Sequence, residues 1–212
     1  MKIALIGASG MAGSAILDEA LNRGHQVTAL ARNPARVPAR AGVTVAALDV
    51  LDADAVRAAV TGHDAVISAY RANGAPEQFG ADFTAATANL IAASRATGAR
   101  LLVVGGAGSL LLPDGSRVID AANFPAEYKA EASAGAQFLE ALRQEQQLDW
   151  SFLSPSALFV EGERRGTFRL GKDHLLVDGD GQSQISFADF AIAMLDEVEK
   201  PVHSRQRFTV GY

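Results

Sequence analysis

Cysteine is absent from these 212 residues. Its absence excludes disulfides and thiol nucleophiles and suits a reducing cytoplasm. Charge is also scarce: charged residues make up 20% of the chain and the net charge is −5. That balance supplies no basic face to neutralise phosphates, which argues against nucleic acid as a partner. Only four of the 19 basic residues are lysine, so most positive charge is guanidinium. No apolar run approaches the roughly 20 residues a membrane span requires. Lys2 leads directly into Ile3-Ala4-Leu5-Ile6, a strand pattern rather than the apolar core of a secretory leader. The expectation is a cytoplasmic protein, monomeric or homodimeric, with neither membrane nor nucleic acid as partner. Four histidines, His25, His63, His174 and His203, lie scattered without metal-ligand spacing, so no metal is expected. Neither "GASG" nor "GAGS" supplies the G-x-S-x-G nucleophile elbow.

What is present is an alternation. Apolar runs at 2–6, 26–31, 43–47, 64–69, 100–104 and 150–153 are separated by helical patterns at 11–23, 52–60, 77–97 and 126–146. Strand and helix in turn predict a parallel sheet with helices on both faces. The strands are continuously apolar, as strands covered on both faces should be. The expected class is α/β: a Rossmann-like, doubly wound parallel sheet flanked by helices. Pro34 and Pro38 leave little room for a helix in the connection that contains them. Past Pro155 the pattern breaks. Gly162, Gly166, Gly171, Gly179 and Gly181 punctuate short segments, including "HLLVD" at 174–178, which read as a small irregular lobe or β-hairpin within about 155–185. Ser186 then reads as an N-cap with Asp189 three residues on, Pro201 closes that helix, and "RFTVGY" reads as a last strand. A single domain over 1–212 is expected.

In "IGASGMAGSAI" three glycines, Gly7, Gly10 and Gly13, stand between the first strand and the first helix. Free amides and the positive end of a helix dipole favour an anion at such a turn. A side chain at Gly10 would obstruct a phosphate, and Gly13 lets the helix pack closely on the strand. The candidate pyrophosphate cradle is Gly7, Ser9, Gly10, Met11 and Gly13. The plainer reading is a tight turn whose glycines serve only φ and packing. At the end of the second strand, "ALARN" places Arg32 where an NAD site would carry a carboxylate. A guanidinium there suits a 2′-phosphate, with Arg36 assisting. NADP(H) is therefore expected ahead of NAD(H); against it stands a solvated surface arginine in an arginine-rich chain.

These stretches, with "ALDVLDADAV", "HDAVISA", "LDWSFLSPSALF" and "ISFADFAIAMLDEVE…RFTVGY", resemble the atypical short-chain dehydrogenase/reductase superfamily over nearly the whole chain. The branch they resemble holds flavin reductases, biliverdin reductase-like enzymes and NmrA-like redox sensors. The resemblance implies that Asp49, with Val50 beside it, reaches the adenine edge, that Ser68 and Ala69 border the adenosine ribose, and that Pro155 stands beside the nicotinamide. Plainer readings are a turn aspartate, sheet packing and a strand-ending proline. It also implies a Ser or Thr past the fifth strand, where Ser109 lies in "VVGGAGSLL". A loop hydroxyl bonded to nearby backbone is the alternative. Gly105, Gly106 and Gly108 would leave space there for a flat ring.

Many members of the superfamily carry Y-x-x-x-K, which puts a tyrosine and a pKa-lowering lysine on one helix face. Here Tyr70, Tyr128 and Tyr212 all lack a lysine four residues on; Lys129 is adjacent to Tyr128, and helical neighbours point about 100° apart. Tyr128 alone is a candidate acid or stacking wall, or plain packing. A flavin or quinone accepts hydride without a tyrosinate, so positioning two flat rings suffices. The expectation is an NAD(P)H-dependent oxidoreductase, NADPH-preferring, acting on a flavin (FMN or FAD as substrate), a quinone or a similar planar acceptor. Its rivals are a non-catalytic NmrA-like NADP(H) sensor and a sugar epimerase or dehydratase.

Overall fold

The computed structural model describes residues 1–72 and 76–212. Along the chain run β1 (Lys2–Ile6), α1 (Met11–Asn22), β2 (Gln26–Ala31), β3 (Val43–Ala47), α2 (Ala53–Val60), β4 (Ala65–Ser68), α3 (Pro76–Thr97) and β5 (Arg100–Val104). There follow α4 (Lys129–Arg143), β6 (Trp150–Pro155), β7 (Leu158–Val160), β8 (Arg169–Gly171), β9 (Gln184–Ser186), α5 (Phe187–Glu199) and β10 (Gln206–Gly211). Among the described residues the main sheet has the order β3-β2-β1-β4-β5-β6-β10-β8. Its strands pair in parallel as far as β10, and β8 closes the edge antiparallel to β10. This is a Rossmann-like α/β sheet.

Alternation along each strand divides the core into two layers. Ile3 and Leu5 of β1 join Ile16 and Leu17 of α1 and Phe190 and Leu195 of α5 on one face. Ala4 and Ile6 join Val56 of α2, Leu90 of α3 and Phe138 of α4 on the other. Each fully buried Leu or Phe contributes about 1.5–3 kcal/mol. Side-chain caps start two of the helices, and the one at Ser186 is the cap expected from the sequence. Asp52 accepts from Ala55 N at 3.0 Å to start α2, and Ser186 Oγ accepts from Asp189 N at 3.0 Å to start α5. The connection holding Pro34 and Pro38 is short, with a single 3-10 turn at Pro34–Arg36.

Two expectations change. The helix expected over 126–146 begins as a 3-10 turn, Ala126–Tyr128, and is α-helical only over Lys129–Arg143, because Pro125 fixes an extended entry. Of the two forms expected for the glycine-punctuated region, the irregular lobe stands and the hairpin does not. β7 and β9 pair in parallel, and "HLLVD" forms no strand but bridges Leu111 through His174. Gly166 and Gly181 turn the chain at φ +70 and +76, which breaks the alternation a hairpin needs. The lobe is held by its polar groups: Tyr212 Oη donates to Asp189 Oδ2 at 2.8 Å, and Gly166 N donates to Asp189 Oδ1 at 2.8 Å.

No described helix is long and apolar enough to cross a membrane. Among the described residues no group of three His, Asp or Glu is placed to hold a metal ion.

Candidate functional site

The three glycines after β1 are glycine for three different reasons. Gly7 has φ +81, and a methyl on it would overlap the Ala69 carbonyl oxygen, so the ends of β1 and β4 meet backbone to backbone. Its amide donates to Leu30 O at 2.9 Å, tying the turn to β2 as well. A methyl on Gly13 would overlap the Gly7 carbonyl, which is the close helix–strand packing expected. Gly10 differs. Its φ is −82, and the nearest protein atom to an added Cβ is Gly7 O at an ordinary 3.4 Å. Nothing inside the protein demands glycine there, and an added Cβ would point into open space above the helix mouth. Gly10 is the N-cap of α1, with no side-chain cap and no acidic residue in the first turn. The helix therefore opens with unanswered amides and an uncompensated positive dipole end. Ser9 is half-buried and Met11 exposed on either side of it.

Charge collects beyond β2, β3 and β4. Arg32 follows the end of β2 and is exposed, as is Arg36 in the 3-10 turn, which Asn33 caps by accepting from Ala35 N at 3.2 Å. Asp49 accepts from Leu51 N at 3.0 Å, closing the turn that the plainer reading assigned to it. The Val50 side chain is core, and its carbonyl accepts from Asn89 Nδ2 at 3.0 Å, so it backs the site. Ser68 is buried, and Ala69 presses its carbonyl on Gly7. Tyr70 joins them, stacked on Phe83 at 5.9 Å. Burial pushes its phenol upward first, Asp82 adds to this, Arg32 opposes it and Asp49 reinforces it. All three charges thus bear on one half-buried hydroxyl past the end of β4. The sequence reading passed over Tyr70 as a binding residue. The available signal was its place just past a parallel strand's carboxyl end, where ligands bind.

Past β5 the glycines again separate. A methyl on Gly105 would overlap the Phe152 ring, and one on Gly108 would lie 2.7 Å from Ala132 Cβ on α4. These two are filled by packing, and only Gly106 faces open space, so the room expected for a flat ring narrows to one position. Ser109 Oγ accepts from Arg207 Nη1 at 3.3 Å, and Arg207, buried on β10, also donates to Asp173 Oδ1 at 2.6 and 2.8 Å. The hydroxyl thus has a side-chain partner, whereas the bland reading gave it backbone. Tyr128 is 54% exposed at the start of α4, beside Lys129 in sequence. Pro155 is buried at the end of β6. Two residues missed in the sequence complete this end: Arg71 Nε and Nη2 each donate to a Glu131 oxygen at 2.8 Å, joining the segment after β4 to the first turn of α4.

The chain matches a family model described as NAD(P)H-binding over residues 7–198. Three solved structures resemble it over its whole length. A Burkholderia pseudomallei protein, provisionally described as exported, is 44% identical with a TM-score of 0.88 and is itself covered 100%. A Bacteroides thetaiotaomicron protein, provisionally described as an epimerase, is 42% identical with a TM-score of 0.92 and is covered 96%. A Streptococcus pneumoniae protein, provisionally described as an NADH-flavin reductase, is 36% identical with a TM-score of 0.89 and is covered 99%. Two of the three descriptions name different activities on one fold and the third names none, so activity has to be argued from the site.

Proposed function

The chain belongs to the NAD(P)H-binding family, and on that premise we propose that it is an oxidoreductase that prefers NADPH to NADH and serves a flavin, quinone or similar planar acceptor. The observation that carries the reading is Gly10: a glycine at the uncapped mouth of α1 that the protein's own packing does not require. The amides that follow it would hold the dinucleotide's pyrophosphate. Arg32 would pair with a 2′-phosphate, Arg36 assisting, in a place where a carboxylate would repel it. Asp49, Tyr70 and the backbone of Ser68 and Ala69 would border the adenosine. When bound, the reduced nicotinamide supplies a hydride equivalent. The residues at the other end set geometry: Gly106 leaves room, Pro155 and the loop that Arg207 ties through Ser109 form the walls, and Tyr128 borders the mouth. Orientation of two rings is the main task, since a planar acceptor needs no tyrosinate.

The epimerase description of one relative keeps a second reading in view, against which stands the lack of a lysine four residues after any tyrosine. The NmrA-like sensor reading shares the dinucleotide site and differs only in turnover. NADPH oxidation followed by absorbance, with FMN, menadione and several aldehydes offered in turn, separates them. Turnover with a planar acceptor supports the reductase; tight NADPH binding without turnover on the whole panel favours the sensor. Arg32→Ala should weaken NADPH about tenfold or more, the scale of one charge-assisted contact, and leave NADH within about twofold. Equal losses would overturn the cofactor preference. Our reading also takes the protein as a single cytoplasmic domain, monomeric or homodimeric, which cell fractionation and light scattering check.

A further inference from the structure

Consecutive residues after β4 face different ends of the site. Tyr70 feels Arg32 and Asp49, whereas Arg71 reaches α4 and forms a fork on Glu131, with both distances 2.8 Å. Exposed ion pairs contribute little to stability, and Arg71 is 60% exposed, so stability is a poor reason for this geometry. Its location is more informative. Glu131 precedes Ala132, which packs against Gly108 of the loop after β5, and Tyr128 bears electrostatically on Arg71. The fork on Glu131 and the Ala132 contact with the loop after β5 thus stand on adjacent residues of α4, beyond the ends of β4 and β5. Lys129, the nearest other cation in sequence, acts on Asp120 instead. A guanidinium fork matches carboxylate and phosphate alike, so Glu131 occupies the position an anionic group of a ligand would take.

We propose that Arg71 is a specificity-determining residue that binds an anionic arm of the acceptor, with Glu131 as its counter-ion when no acceptor is bound. The inference rests on the acceptor site described under Proposed function and narrows its occupant to planar molecules carrying a phosphate or carboxylate, flavin mononucleotide before riboflavin. The two flavins differ by one phosphate. Each is titrated by its fluorescence into the protein with saturating NADP⁺, and NADPH oxidation is measured separately. Wild type should bind FMN about tenfold more tightly than riboflavin, the scale of one charge-assisted contact. Arg71→Gln should bring that ratio near one through loss of FMN affinity alone. Arg71→Lys should recover part of it, and Glu131→Gln should widen it by removing the competitor. A wild-type ratio of one, a ratio that survives Arg71→Gln, or equal losses for both flavins would each overturn the proposal. If the ratios behave as expected but no hydride reaches either flavin, flavin falls as the acceptor of the reductase reading and the anion site stands.

Discussion

At the scale of single residues, identical letters hide different causes. Gly7 answers to a left-handed φ and the Ala69 carbonyl, Gly13 to the Gly7 carbonyl, and Gly10 to neither. That contrast yields a prediction opposite in sign for folding and binding. Serine at an N-cap accepts from the first helical amides and is a better cap than glycine by a few tenths of a kcal/mol. Gly10→Ser should therefore keep or slightly raise the melting temperature. The same hydroxyl would occupy amides and space that the proposed phosphate site uses, so dinucleotide affinity should drop about tenfold or more. Melting curves and calorimetric titration of the variant check both halves; unchanged affinity would remove the phosphate from that helix mouth. The glycine motif was legible because its causes are local. Phe152 beneath Gly105 and Arg207 behind Ser109 were not, because each partner arrives from a distant strand and no spacing announces it.

At the scale of elements, the strands from β1 to β6 and helices α1 to α3 follow the apolar pattern closely, since burial on both faces of every one of these strands but the edge strand β3 leaves an unbroken signal. The three-residue strands β7, β8 and β9 are too short to carry a period, and their pairing is decided by Asp189, Tyr212 and the turns around them. Helix α4 has a feature of its own: Gly135 lies in its interior, and an added Cβ there meets nothing within 4 Å. An interior helical glycine costs roughly 0.5–1 kcal/mol relative to alanine. Gly135→Ala should raise stability by about that amount in denaturant unfolding. A loss instead would show that some molecule packs against that face of α4.

For the molecule as a whole, the proposed dinucleotide site and a buried ionic cluster lie at opposite ends of the strands. The glycines and Arg32 lie at the strands' carboxyl ends. At the start of β5 and β6 lies a buried cluster in which Arg100 Nη2 donates to Glu197 Oε1 at 2.5 Å and to Ser151 Oγ at 2.6 Å. His203 Nδ1 lies 2.8 Å from Glu197 Oε2. Burial pushes the Glu197 carboxyl up, but donation from Arg100, His203 and the backbone amides outweighs it and holds the group below its ordinary 4.5. A depressed carboxylate stabilises the fold above its unfolded value and loses that contribution as pH falls through the folded one. Stability should thus be steady above about pH 4.5 and decline below it. Glu197→Gln leaves Arg100 poorly compensated and should cost about 3 kcal/mol at neutral pH while flattening the acid decline. NADPH affinity below the melting range should be unchanged. Melts across pH and a neutral-pH titration check this; a large affinity loss would contradict the separation of the two ends.

Leu111 N donates to Asp173 O at 2.8 Å, Leu175 N donates to Leu111 O at 3.0 Å, and Arg207 secures both segments from beneath. The stretch after β5 that carries Ser109 and the stretch around His174 are in this way sewn into one patch, though some sixty positions of chain lie between Leu111 and Asp173. Anyone seeking to alter acceptor range by grafting from a homologue must transplant 105–120 and 169–178 as a matched cassette, because either one exchanged alone arrives without its seam.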